Sequence, residues 1–185
     1  MKSLASRLGV FLLAAAAASS QTADRLAGAK VVQPGAGGQS KMEREVRHEL
    51  VMLPYYGVFD NLAYRVNGST VALLGQVTRP ALKDDAGKAV RGIEGVERVD
   101  NQIRVLPLSA MDDHIRLAEY RAIYSQPGLE KYALQAIPPI HIIVENGHVT
   151  LEGVVANQAD KDIAYVRANS VSGVFSVTNN LRVEK

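Results

Sequence analysis

The feature that most limits what this chain can fold into is an internal repeat. Shifting the sequence by 78 positions lays Val66–Val105 over Val144–Val183 without a gap, and about fifteen of the forty aligned positions are identical. The matches include Val71/Val149, Leu73/Leu151, Gly75/Gly153 and Val77/Val155, then Lys83-Asp84 over Lys161-Asp162. Ungapped agreement of that length is not a chance event. Two copies are too few for a solenoid, so the chain reads as two compact modules in tandem.

Both modules show the same order of elements. In the first, Met42, Val46, Leu50 and Leu53 recur at helical spacing among charged residues, which predicts an amphipathic helix. A turn-rich stretch, Pro54-Tyr55-Tyr56-Gly57, leads to a strand near Leu62–Val66. Asn67-Gly68 signals a two-residue hairpin turn, and Val71, Leu73, Gly75 and Val77 alternate as a half-buried return strand should. Thr78 is placed to cap a second helix, with Pro80 in its first turn. That helix stops near Gly92–Gly95, and a last strand alternates Val99, Asn101, Ile103 and Val105.

The second module repeats this order: a helix near Asp112–Tyr124, strands at Ile140–Val144 and Val149–Val155 about Asn146-Gly147, a helix capped by Asn157, and a strand at Val177–Val183. An insertion around Ala136-Ile137-Pro138-Pro139 precedes its first strand. The predicted fold is therefore α+β: two tandem α-β-β-α-β modules, each a three-stranded mixed sheet with two helices on one face. Module 1 spans residues 41–106 and module 2 residues 112–185, and the short joint at 107–111 keeps them in contact.

Residues 1–20 have the pattern of a cleaved signal peptide. Lys2 and Arg7 form a basic region, Leu8–Ala18 an apolar run, and small residues at Ala18–Ser20 offer a cleavage point. The run is too short to span about 30 Å of hydrocarbon comfortably. Residues 21–40 read as a flexible tether, since Pro34-Gly35-Ala36-Gly37-Gly38 has nothing to bury. Removing Lys2 and Arg7 takes Lys+Arg from 21 to 19 against Asp+Glu 19, so the mature chain is nominally neutral. The chain has no cysteine, which excludes disulfides and a lipid-modified N-terminal cysteine, and no later segment is apolar enough to cross a membrane.

The pattern resembles the BON domain, the small module of bacterial osmotically induced and envelope proteins. The likeness rests on Val71-x-Leu73-x-Gly75-x-Val77 and Val149-x-Leu151-x-Gly153-x-Val155. Each is followed by Gly-Val-x-x-Val-x-Asn-x-(Ile/Leu)-Arg-Val, which begins at Gly95 in the first copy and Gly173 in the second. The resemblance implies a periplasmic location and a non-catalytic role in envelope integrity or osmotic stress tolerance, with phospholipid binding. The signature residues Gly75, Gly95, Val99, Asn101, Gly153, Gly173, Val177 and Asn179 read mainly as structural. The glycines allow a bulge, a close approach of the second helix or a helix-to-strand turn. The asparagines face outward or bond nearby backbone.

Little in the sequence points to catalysis. His48, His114, His141 and His148 share no metal-ligand spacing and read as surface residues. No serine elbow exists, there is no thiol, and Asp84-Asp85 and Asp112-Asp113 are neighbours that diverge on a helix. Gly92-Ile93-Glu94-Gly95 sits in the wrong order of elements for a nucleic-acid clamp, and a neutral chain does not favour nucleic acid. No cofactor is expected. The candidate contact residues are Tyr55, Tyr56 and Phe59, in an apolar turn that either meets an anionic phospholipid surface or an envelope protein, or else closes the core or packs on the second module.

Overall fold

The structure, a computed structural model, describes residues 30–31 and 40–184. The expected signal peptide and its cleavage point lie outside the described residues. Module 1 contains helix α1 (Lys41–Val51), a hairpin of β2 (Asn61–Asn67) and β3 (Thr70–Val77), helix α2 (Pro80–Arg91), and a last strand in two pieces, β4 (Arg98–Asn101) and β5 (Arg104–Val105). The hairpin is antiparallel, and both pieces of the last strand run parallel to β3. Module 2 repeats this as α3 (Ala110–Tyr124), β6 (Ile140–Glu145), β7 (His148–Val155), α5 (Gln158–Asn169) and β8 (Ser176–Val183). A one-turn helix, α4 (Glu130–Ala133), lies just before the expected insertion.

Each module has its own core. Val46, Leu50, Leu62, Leu73, Leu82 and Val90 form the first, and Ile115, Ile123, Ile142, Leu151, Ala164 and Leu181 the second. Both join the helix layer to one sheet face, as the alternation along the strands requires.

Several local expectations are corrected. Asn67 pairs with Thr70, so the first turn centres on Gly68-Ser69, and only Gly68 takes positive φ. A glycine at the first central position supports the other favoured hairpin turn. In module 2 Asn146 and Gly147 both take positive φ, as expected. Thr78 does not cap α2; Arg79 occupies that position without a side-chain bond. Instead the Thr78 amide and hydroxyl both donate to Asp60, at 2.7 and 2.9 Å. The equivalent amide of module 2, Ala156, donates to the Tyr132 hydroxyl at 2.8 Å, so α4 supplies there what Asp60 supplies in module 1. Helix α3 starts at Ala110 rather than Asp112, because Ser109 accepts the Asp112 amide and caps it.

Part of the expected tether belongs to the sheet. Lys30–Val31 form β1, which pairs with Tyr64 and Ala63 on the outer edge of β2. Lys30 also binds Glu43 at 2.6 Å, and Glu43 with Ser40 closes a capping box on α1. The corresponding edge of module 2, along β6, is closed differently. The Ile140 carbonyl accepts from the Tyr124 hydroxyl, the Ile142 amide donates to the Val58 carbonyl, and the Val144 carbonyl accepts from Arg116. Both modules thus cover an edge that would otherwise invite strand addition.

The modules interlock reciprocally. Val58 and Phe59 of module 1 pack against the second core, and Ile137 of the insertion packs against the first. Arg104 forms a two-pronged pair with Glu145, at 3.3 and 2.7 Å. Arg104 lies beside Gln76, on the sheet face turned away from the helices, and Glu145 shares its face with His141 and Ile143. Those faces are buried, at Ala63 and Leu74 in one sheet and His141, Ile143 and Glu152 in the other.

Candidate functional site

The aromatic turn between α1 and β2 divides its side chains among three environments. Phe59 is partly buried and meets Tyr120 of α3 edge-on, with centroids 6.4 Å apart. Tyr56 is buried and stacks on His141 at 5.6 Å, and burial pushes its hydroxyl well above the ordinary tyrosine range. Tyr55 is 72% exposed. Of the three candidate contact residues, then, only Tyr55 faces solvent. The turn achieves this by holding Tyr55 at φ 68°, a left-handed conformation that costs a non-glycine residue about 1 kcal/mol or more. The Arg79 guanidinium lies 4.8 Å from the centre of its ring, and Met52, also exposed, ends the helix just before the turn.

The signature residues have matching geometry in both copies. Asn101 donates to the Lys83 carbonyl at 2.8 Å and accepts the Ile103 amide at 3.2 Å. Asn179 donates to the Lys161 carbonyl at 3.0 Å and accepts the Leu181 amide at 3.2 Å. Each asparagine therefore ties the last strand to the helix above it while turning its own backbone locally. Gly75 has φ 111°, and a Cβ there would sit 2.0 Å from the Asn61 carbonyl oxygen. The close approach is by the neighbouring strand rather than by the second helix. Gly95 and Gly173 take φ 87° and 89° at the helix-to-strand turns, while Val99 and Val177 lie on the core side of the last strands. Gly153 takes φ 132° opposite Ile140.

The histidines do not converge. His48, His114 and His148 are exposed, and among the described residues no cluster of three metal-ligating side chains forms. His141 is not a surface residue: it is 1% exposed, because its strand presents that face to the module 1 turn. Burial lowers its pKa to about 4, against the opposing effect of the Gly57 and Asp60 backbone.

Some buried polar groups were not legible as special. Asp112 accepts the Asn146 and Gly147 amides at 2.9 and 2.8 Å, so the α3 start holds the hairpin turn. Glu119 is fully buried, its carboxylate oxygens have no hydrogen-bond partner, and burial raises its pKa to about 8. The missed signal is a second shift, of 69 positions, that lays Met42, Val46 and Arg47 of α1 over Met111, Ile115 and Arg116 of α3. Under that shift Glu119 takes the place of the core residue Leu50.

Two interlocked α-β-β-α-β modules, with buried polar groups spent on turns and seams, define a tandem-module protein in which Tyr55, of the three candidate contacts, reaches solvent. The chain belongs to the BON domain family: the family model matches residues 41–107 and 128–185. It is 31% identical over 127 residues to osmotically-inducible protein Y of Escherichia coli (strain K12), a match covering 67% of this chain and 62% of that relative. Among solved structures, CdsD, a structural protein of the type III secretion system of Chlamydia trachomatis, matches 79% of this chain and 94% of its own at 12% identity and a TM-score of 0.30. The C-terminal domain of CdsD matches 80% of this chain at 13% identity and a TM-score of 0.28. Similarity that low implies no shared role.

Proposed function

We propose that this protein is a non-catalytic periplasmic factor of osmotic-stress tolerance and envelope integrity that binds anionic phospholipid at the membrane surface. Family membership and the osmotically inducible relative support the setting, and the leader-like N-terminus supports export. The observation that carries the membrane contact is Tyr55, exposed beneath Arg79 in a strained turn beside exposed Met52. A tyrosine ring with an adjacent cation suits the boundary between lipid headgroups and acyl chains. Two exposed side chains, at roughly 25 cal/mol per Å² of apolar area, provide a few kcal/mol at most, which matches reversible attachment.

Flotation of the mature protein with anionic and neutral vesicles at two salt concentrations tests this. The expected result is binding to anionic vesicles that weakens with salt and falls in Tyr55→Gly. Wild-type protein that ignores anionic vesicles even at low salt overturns the lipid reading. The alternative, a protein–protein interaction module supporting an envelope assembly without lipid affinity, then takes its place. A specific observation favours a protein contact elsewhere: Leu117, Val166 and Phe175 of module 2 are exposed where module 1 carries polar residues.

A further inference from the structure

The two modules serve as internal controls for each other. At three equivalent exposed positions module 1 is polar and module 2 apolar: His48 against Leu117, Lys88 against Val166, and Glu97 against Phe175. Leu117 is 51% exposed, Val166 64% and Phe175 79%. The module 1 residues show that the fold does not need apolar side chains at these places. Exposed apolar surface that folding does not require marks a contact. Module 1 meets α3 at Tyr120, through Phe59, and otherwise docks on the edge and opposite face of the second sheet, leaving Leu117, Val166 and Phe175 exposed.

We propose that the helical face of module 2 is a self-association surface, on which a second copy of this chain packs α3 against α3 about a two-fold axis at Leu117. The choice of a second copy rests on charge. Asp113, Leu117 and Arg121 follow one another at intervals of four along the exposed side of α3, forming a single surface ridge. Packing two such ridges about a two-fold axis brings Leu117 against Leu117 and each Asp113 beside Arg121 of the other copy. Self-complementarity of this kind is what an isologous interface requires. Asp113 binds Arg116 within its own helix yet keeps a side chain 66% exposed, so its carboxylate can take a second cation. Arg121 has no ion pair among the described residues. The matching ridge of α1, Arg44, His48 and Met52, has no such symmetry.

A helix of 15 residues is about 22 Å long, and one helix face falls short of the roughly 800 Å² per partner of a stable complex. The dimer is therefore weak, forming at roughly micromolar concentrations and above. Sedimentation velocity of the mature protein, from about 1 to about 300 μM, provides the test. Wild type shifts from monomer to dimer across the series. Leu117→His, the module 1 residue, raises the dissociation constant about tenfold or more without lowering the melting temperature. Arg121→Asp weakens the dimer, and adding Asp113→Arg to it restores association. Wild type that stays monomeric throughout, an unaffected Leu117→His, or a charge swap without rescue overturns the proposal. So does a monomer whose vesicle binding is lost in Leu117→His, which assigns this face to lipid; a failure of Tyr55→Gly in flotation concerns the other site.

Discussion

Glu119 shows how a single residue sets a pH dependence. In the folded protein its pKa is raised to about 8 by burial, from an ordinary value of 4.5. Between those values the unfolded chain has released the proton and the folded chain keeps it, so stability falls as pH rises through the window and levels above it. His141, lowered from 6.5 to about 4 by burial, acts in the opposite sense: its contribution is lost as pH falls below 6.5. From pH 6.5 to 8 His141 is neutral in both states, and the remaining slope belongs to Glu119. Urea unfolding across that range is expected to show declining stability in wild type and a flat profile in Glu119→Gln. Over that range the variant gains roughly 2 kcal/mol relative to wild type.

The neighbouring tyrosines make a second residue-scale comparison. Tyr56→Ala removes a buried ring stacked on His141 and costs about 3 kcal/mol. Tyr55→Gly removes an exposed ring and relieves a left-handed backbone, which raises stability by about 0.5–1 kcal/mol. Thermal melts of the two variants should move in opposite directions.

At the scale of elements, the contact between the start of α3 and the β6–β7 turn is the least expected feature. Asp112→Ala leaves the Asn146 and Gly147 amides without their acceptor, at a cost of about 2 kcal/mol. Hydrogen exchange should accelerate at those two amides before it does in the rest of β7. The helices and strands themselves were legible from periodicity, because Val71, Leu73 and Val77 alternate and Val46 and Leu50 fall on one helical side. The turn at Gly68-Ser69 was missed by one position although the repeat carries it, since Gly68 aligns with Asn146. The Thr78 cap failed because its amide and hydroxyl are taken by Asp60, 18 residues earlier, and no local pattern shows that. The strand at Lys30–Val31 was invisible for the same reason: two residues have no periodicity, and only the open edge of β2 gives them a partner.

At the scale of the whole molecule, the repeat predicts two modules and says nothing of how they join. Tyr56 and Phe59 looked like candidate contact residues because their surroundings are apolar. Which surface such a turn meets depends on His141 and Tyr120, more than sixty residues away. Only the difference between Tyr55 and its neighbours in three dimensions separates a latch from a surface contact. Scanning calorimetry of the mature protein tests that reciprocal latch most directly. Wild type should unfold in one transition with equal calorimetric and van't Hoff enthalpies, and Phe59→Ala should lower that transition or split it. Two independent transitions in wild type, with only the first displaced by Phe59→Ala, would show that the modules fold separately and contradict the account.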